Sequence, residues 1–225
     1  IARTVASALS AEMVPDPKVP AGSAGTLAAE GGTRSAQAFD AYLKGRALYD
    51  LSADEASERA ALAQFDLAIA ADPDYAPAHA ARARSLTAIA NQYGKAGQLQ
   101  ELYGSAIESA RRAIEIAPGL ADAYSTLGFT LFQGQLDARG AREPFERSKE
   151  LGAGEATVLA RYAQYSARVG RSQDAAAAIQ RALLLDKLRK LLTQALGEQG
   201  QICVLSGEAG IGKTRVARQL AELAR

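Results

Sequence analysis

The feature of this sequence that most constrains its fold is a spacing of small and large apolar residues that recurs along the chain. In residues 61–68 and 175–182, an alanine is followed four positions later by a larger apolar residue, and a second alanine comes three positions after that. Residues 106–113 have the same spacing with alanine at all three positions. Such intervals place side chains on one face of an α-helix. Pro73 and Pro118 follow two of these segments, and proline cannot continue a helix. The recurrence predicts tandem helical units of similar design.

Matching first helices lie upstream of these segments. The clearest of them contains Tyr124, Leu127, Gly128 and Leu131. Gly134 and Gly170 fall between paired helices, where we expect a left-handed C-cap. Because an antiparallel pair this short cannot bury its apolar face alone, neighbouring pairs must stack. We expect the gaps between the pairs to be filled by large side chains of the second helices, namely Phe65, Phe145 and Ile179.

The composition agrees with an all-helical protein that has a core of its own. Hydrophobic residues make up 48% of the 225 residues, whereas aromatic residues reach 6% and tryptophan is absent. The net charge of +1 offers no basic field for nucleic acid or an anionic membrane. Without a secretory signal or an apolar run of 18 residues, we expect a cytoplasmic protein. His79 and Cys203, each the single residue of its type, are expected to be packing residues.

The residues quoted above resemble the tetratricopeptide repeat (TPR). The resemblance covers residues 37–186 in four units, with a longer loop at residues 51–57 and extra sequence around residues 91–102. It implies an all-α, TPR-type helix-hairpin solenoid, coiled as a right-handed superhelix. It also implies a concave groove that binds a protein or peptide partner.

In the TPR family, certain positions of the first helices face this groove. In this chain those positions hold Arg84, Ser125, Phe129, Phe132 and Gln164. The two phenylalanines are candidate anchors for a partner peptide, since a few apolar anchors carry most of the energy of an interface. The alternative is that they contact a neighbouring first helix. Chaperone-binding TPRs clamp a terminal carboxylate with lysine and asparagine at such positions, so we do not expect that ligand here.

The residues before the repeats differ from them in composition. Residues 1–14 carry apolar side chains every fourth position, which predicts a helix that is the stub of an upstream domain or a strap on the next one. Residues 15–36 contain three prolines and four glycines, and we interpret them as a flexible linker. Since the chain begins with Ile1 rather than methionine, we expect it to be a piece of a longer protein.

A phosphate-binding motif lies near the C-terminus. It follows a predicted strand at residues 201–206, precedes an amphipathic helix, and consists of Gly207, Glu208, Ala209, Gly210, Ile211, Gly212, Lys213 and Thr214. The order of strand, glycine-rich loop and helix is the context in which this pattern binds nucleotides. Backbone N–H groups would hold the phosphates, Lys213 would reach the β- and γ-phosphates, and the Thr214 hydroxyl would ligate Mg²⁺.

Residues 187–225 resemble the start of a STAND-type P-loop ATPase domain, which implies ATP and Mg²⁺ as cofactors. No strand ending in an acidic pair follows the motif, so we identify no catalytic residue, expect a truncated domain and do not expect hydrolysis. No helix-breaking residue stands between Ser172 and Leu196. This predicts that the last helix of the repeats continues past Asp186.

Two functions follow from these motifs. The first is a non-enzymatic scaffold that binds a protein partner, inside a bacterial regulatory or signalling protein. Residues 35–46 and 68–76 are similar to TPR regions of such proteins. The alternative is a nucleotide-dependent switch, in which ATP and Mg²⁺ bound at the glycine-rich loop control the repeats. The sequence indicates neither the identity of the partner nor the oligomeric state.

Overall fold

The structure, a computed structural model, describes residues 31–51 and 53–196, with the backbone alone for the last six of these. This part of the chain contains no β-strand. Its helices, in chain order, are α1 (Ala36–Asp50), α2 (Glu55–Ala71), α3 (Ala76–Tyr93), α4 (Leu99–Ile116), α5 (Ala121–Gly134), α6 (Arg142–Leu151), α7 (Ala156–Arg168) and α8 (Ser172–Leu196).

Consecutive helices pack in pairs and the pairs stack on one another. The hairpins are α1/α2, α3/α4, α5/α6 and α7/α8, and the first helix of each hairpin contacts the first helix of the next. Among the described residues, the second helices α2, α4, α6 and α8 do not contact one another. The first helices therefore form an inner layer and the second helices an outer one. This arrangement confirms the predicted TPR-type solenoid of helix hairpins.

Glycine and alanine on the first helices allow the two helices of a hairpin to approach closely. In the first hairpin the Phe65 ring fills the space beside Gly45, where a Cβ atom would lie 2.6 Å from Phe65 Cε1. In the third hairpin Phe145 lies against Gly128 in the same way, at 3.0 Å. Both phenylalanines are fully buried. In the other two hairpins the buried helix faces carry alanine, at Ala83, Ala110, Ala163 and Ala178.

The prediction that Ile179 fills a gap between helix pairs is wrong. Its side chain is 40% exposed, whereas Ala178 beside it is buried. The buried face of α8 contains Ala175, Ala178 and Ala182, which are spaced by three and four residues and share one side of the helix. Ile179 lies about 100° further around the helix than Ala178, at the exposed edge of this face.

The two glycines expected at left-handed C-caps behave differently. Gly170 adopts a φ of +82°, as predicted, whereas Gly134 is the last residue of α5 and Leu136 takes the positive φ, at 53°. The Tyr103 ring occupies the position that a Cβ atom of Gly134 would need. Gly134 is therefore required for the close approach of a neighbouring ring rather than for its backbone conformation.

Two of the connections are shorter than the sequence suggests. The Asp54 side chain accepts a hydrogen bond from the Ser57 backbone N–H at 2.8 Å, so α2 begins at Glu55 and three residues assigned to a longer loop are helical. The extra sequence of the second unit lengthens α3 and α4 to 18 residues each. The additional length therefore extends the hairpin instead of its loop.

The residues before α1 contact the second hairpin. The carbonyl oxygen of Gly31 accepts a hydrogen bond from the N–H of Ala76 at 3.1 Å, and the Thr33 hydroxyl donates one to the Asp72 carboxylate. The Ser35 side chain then caps α1 by accepting from the Ala38 N–H. Residues 31–35, at the end of the expected linker, thus lie along the start of α3.

At the other end, α8 is continuous from Ser172 to Leu196, as the lack of a helix breaker predicts. Cys203, the glycine-rich motif and residues 1–30 lie outside the described residues. Within the ranges that the structure covers, no helix has the combination of length and hydropathy that a bilayer span requires.

Candidate functional site

A cavity of about 190 Å³ lies on the inner layer and is lined by residues from all four first helices. The lining includes Tyr49 from α1, Arg84, Asn91 and Gln92 from α3, Phe129 from α5 and Arg161 from α7. Because this site requires the stacking of all four hairpins, no single repeat contains it. It is therefore a product of the tandem array.

Two arginines dominate the cavity, and each lies over an aromatic ring. The Arg84 guanidinium carbon is 4.9 Å from the centre of the Tyr49 ring, and that of Arg161 is 5.6 Å from the centre of the Phe129 ring. The two side chains are 18% and 17% exposed. Contact with the rings restricts the orientation of both guanidinium groups and favours their charge.

A single carboxylate is shared between these arginines. Asp122 Oδ2 lies 3.4 Å from Arg84 Nη1, and Asp122 Oδ1 lies 3.4 Å from Arg161 Nη1. Charge-assisted hydrogen bonds of full strength are shorter, about 2.7–2.9 Å. Asp122 itself is not among the residues that line the cavity. The formal charges of these three groups sum to +1.

The electrostatic environment follows from burial and from these neighbours. Burial lowers the pKa of the Arg161 guanidinium, Asp122 opposes this effect, and the charge of Arg84 adds to it. Burial raises the pKa of the Tyr49 phenol, while Arg84 and Arg161 act in the opposite direction. The phenol is therefore neutral and protonated near pH 7.

Two threonines, Thr87 and Thr126, line the cavity, and Thr130 contacts the first of them. The hydroxyl oxygens of Thr87 and Thr130 lie 2.8 Å apart, and each is within hydrogen-bond distance of the backbone carbonyl four residues earlier. Arg161 Nη1 also donates to the Thr126 hydroxyl at 3.3 Å. These three threonines are fully buried, and their interactions connect α3 with α5 and α5 with Arg161 of α7.

Two of the lining residues have donor groups that the hydrogen bonds of the described residues do not use. Arg84 Nε is buried and has no hydrogen-bond partner in the part of the chain that the structure describes. Asn91 accepts a hydrogen bond from the Tyr103 hydroxyl through its oxygen, at 2.6 Å, which leaves its amide N–H groups free of that interaction. Asn91 and Gln92 are exposed. The cavity thus presents an excess of positive charge and of hydrogen-bond donors.

The structure brings together two of the five residues that the sequence assigns to a groove. Arg84 and Phe129 both line the cavity. Ser125 is fully buried and lies under the surface of α5. Gln164 is exposed but does not contribute to the cavity lining.

Phe132 makes the contact that the alternative interpretation describes. Its ring is perpendicular to that of Tyr165 on α7, with 5.3 Å between the ring centres. The guanidinium carbon of Arg168 also lies over the Phe132 ring, 5.8 Å from its centre. Phe132 therefore packs against the neighbouring first helix, whereas Phe129, three residues earlier, reaches the cavity.

Sequence reasoning missed Tyr49, Asp122 and Arg161. On α7 the only residue that the repeat pattern assigned to the groove was Gln164. Arg161 lies about one helical turn before Gln164, on the same face of α7. An arginine among the apolar residues of this helix was the sequence signal that could have identified it. The predicted nucleotide-binding residues, Gly207 to Thr214 as named above, lie outside the described residues.

These observations define the class of protein as a TPR-type solenoid with a cationic cavity on its inner face.

No family model matches the chain, and no curated protein does. Among solved structures, the crystal structure of TTC0263, a thermophilic TPR protein in Thermus thermophilus, matches with a TM-score of 0.52 and 17% identity, over 83% of this chain and 89% of that one. The MamA RS-1 ArsTM double mutant matches with a TM-score of 0.46 and 18% identity, over 70% and 79% of the two chains. The TTC0263 structure shares the TPR fold with this chain.

Proposed function

We propose that this chain is a protein-interaction scaffold that binds a segment of a partner protein on the inner face of its first helices. The observation that carries the proposal is the cavity lined by all four first helices. Sites that enclose a whole small-molecule ligand usually measure about 300–1,000 Å³. A volume of about 190 Å³ suits one side chain of a larger partner better.

The groups at the cavity support a peptide ligand. Asn91 and Gln92 are exposed amides, which offer both donors and acceptors to the backbone of an extended segment. Arg84 and Arg161 are held over aromatic rings, so little side-chain freedom is lost when they bind. We place this scaffold in a bacterial regulatory or signalling protein on the strength of the sequence resemblance of residues 35–46 and 68–76.

The proposal is tested by selecting peptides and locating where they bind. Peptides from a random library that bind the 225-residue chain should bind at the inner face. A tryptophan at Gln92, beside the cavity, should weaken them at least tenfold, because the indole blocks the entrance. Gln180→Trp makes the same change at an exposed position of α8 and should have no effect. Equal binding to both variants, or no selected peptide, would contradict the proposal.

A nucleotide-dependent switch is the second candidate function. The motif at residues 207–214 supports it, and so does α8, which extends without a break from the last hairpin to Leu196. A ligand at 100 times its Kd stabilises a protein by about 2.7 kcal/mol. Mg²⁺ and ATP should therefore raise the melting temperature of the chain but not that of Lys213→Ala. No shift, or the same shift in both proteins, removes this candidate.

A further inference from the structure

The two charged side chains that line the cavity are both cationic. Of the described residues that line it, Arg84 and Arg161 are charged and no carboxylate is present. Asp122, outside the lining, neutralises one of the two charges at 3.4 Å from each arginine. Two partly buried cations that share one carboxylate gain from a further anion, because each then has a partner of opposite sign.

The geometry of the arginines also favours an anion. Arg84 Nε is a buried donor without a hydrogen-bond partner in the described residues, and buried donors are rarely left unsatisfied. The Arg84 and Arg161 guanidinium carbons lie 4.9 and 5.6 Å from the centres of the Tyr49 and Phe129 rings, and a guanidinium carries its N–H donors around its planar edge. This fork of donors matches the two oxygens of a carboxylate.

We propose that the cavity binds the carboxylate of an aspartate or glutamate side chain in an extended segment of a partner protein. This inference rests on the proposed function and specifies the ligand of the same site. One negative charge neutralises the single excess positive charge of Arg84, Arg161 and Asp122. A phosphate group carries about −1.5 to −2 near neutral pH and would leave excess negative charge in a half-enclosed site.

The neighbouring amides favour a side chain over a chain terminus. Asn91 and Gln92 are both exposed beside the cavity. They can pair with backbone N–H and C=O groups on a segment that continues past the bound residue, whereas a chain that ended in the cavity would use them less fully. The ligand is therefore an internal acidic residue, and its flanking backbone lies along α3.

The first experiment compares two peptides on the unchanged protein. Both are acetylated and amidated, come from the library selection described above, and differ only by glutamate or glutamine at one position. We expect selected peptides to be enriched in acidic residues and the glutamate peptide to bind at least tenfold more tightly in fluorescence anisotropy. Equal affinities would overturn the proposal, and this comparison requires no variant to fold.

The second experiment assigns the preference to the cavity. Arg84→Gln should weaken the glutamate peptide about tenfold and leave the affinity of the glutamine peptide within about twofold. The matched control Arg147→Gln changes an exposed arginine on α6 that pairs with Glu150 and should change neither affinity. Equal weakening of both peptides by Arg84→Gln would mean that Arg84 has a structural role only, which thermal unfolding of the variant would then reveal.

Competition identifies the source of the anion. Acetate should displace the glutamate peptide more effectively than inorganic phosphate at equal ionic strength, and stronger competition by phosphate would overturn the proposal. So would a glutamine peptide that binds only when its C-terminus is left as a free carboxylate.

A spectroscopic probe separates this inference from the proposed function. N-acetylglutamate α-amide, but not N-acetylglutamine α-amide, should shift the Arg84 Nε–H resonance in ¹⁵N NMR spectra of the full chain. If no peptide binds but this shift occurs, the scaffold function fails and the carboxylate site stands. If peptides bind the inner face without a preference for glutamate and the shift is absent, the scaffold function stands and the carboxylate site fails.

Discussion

The interior of the hairpins and the inner face of the first helices are built from different side chains. Inside the first and third hairpins, Phe65 and Phe145 pack against glycines and are fully buried. On the inner face, Arg84 and Arg161 remain partly exposed and share one carboxylate. Apolar packing of the first kind stabilises a fold without involving charged groups, whereas on the inner face two arginines share a single carboxylate. The hairpin interiors therefore stabilise the fold, and the inner face carries the charged groups of the proposed site.

The largest expected effect comes from emptying a hairpin interior. Phe145 is 1% exposed and stacks on Tyr165 with 4.6 Å between the ring centres. Phe145→Ala should lower the free energy of unfolding by about 3–5 kcal/mol, because a cavity replaces the ring. Urea unfolding at an unchanged m-value would measure this loss. Phe129→Ala, at the half-buried ring of the cavity, should cost clearly less, and equal losses would break the distinction between the two regions.

A second test adds a methyl group at two glycines. Gly45→Ala places a Cβ atom 2.6 Å from Phe65 Cε1 and should cost about 1–3 kcal/mol, because the ring must move. Gly104→Ala, in α4 with open space around it, should instead stabilise the chain by about 0.5–1 kcal/mol, because alanine is the better helix former. Thermal and urea unfolding of both variants would show opposite signs. Stabilisation by Gly45→Ala would mean that close packing at Gly45 is not needed, and destabilisation by Gly104→Ala would contradict the open space in α4.

The charge imbalance of the inner face is tested without any ligand. Asp122→Asn leaves two partly buried arginines without a carboxylate and should cost about 1–2 kcal/mol, a value reduced from that of fully buried pairs because these groups are partly exposed. Arg161→Gln leaves one arginine with one carboxylate and should change stability by less than about 1 kcal/mol. Urea unfolding compares the two variants. A larger loss for Arg161→Gln would show that the arginines are part of the stabilising core.

The smallest effect concerns the protonation of His79, which lies outside both regions. Its Nε2 lies 2.9 Å from the carbonyl oxygen of Pro73, and burial lowers the pKa of the imidazole. A folded-state pKa below the unfolded value means that stability is present above the unfolded pKa and decreases as the pH falls through this window. The Cε1 proton of this single histidine should titrate at a lower pH in the native chain than in urea. A native midpoint at or above the unfolded one would contradict the expected burial.

The predictable part of the fold rests on local patterns. The alanine and phenylalanine spacing predicted the hairpins, because intervals of three and four residues define one helix face. The same reasoning failed for Ile179, since the rotation of α8 depends on how its alanines pack against α7. It also failed for Gly134, because a side chain there would collide with the Tyr103 ring, which belongs to the preceding hairpin.

The candidate site was predictable only in part. Arg84 and Phe129 were found because the repeat pattern marks their positions on the first helices. Tyr49 and Arg161 were not, because they belong to the first and last hairpins and meet only when the hairpins stack. Neither spacing nor composition reveals that one aspartate must serve two arginines.

For this chain, periodic small residues, helix caps and prolines determined on their own that it forms helical hairpins, because each of these signals acts within a few residues. The tertiary structure alone decided which polar side chains meet across the stacked hairpins and which of them lack a partner. That outcome depends on the rotation and spacing of neighbouring helices, to which every hairpin contributes and which no local segment encodes.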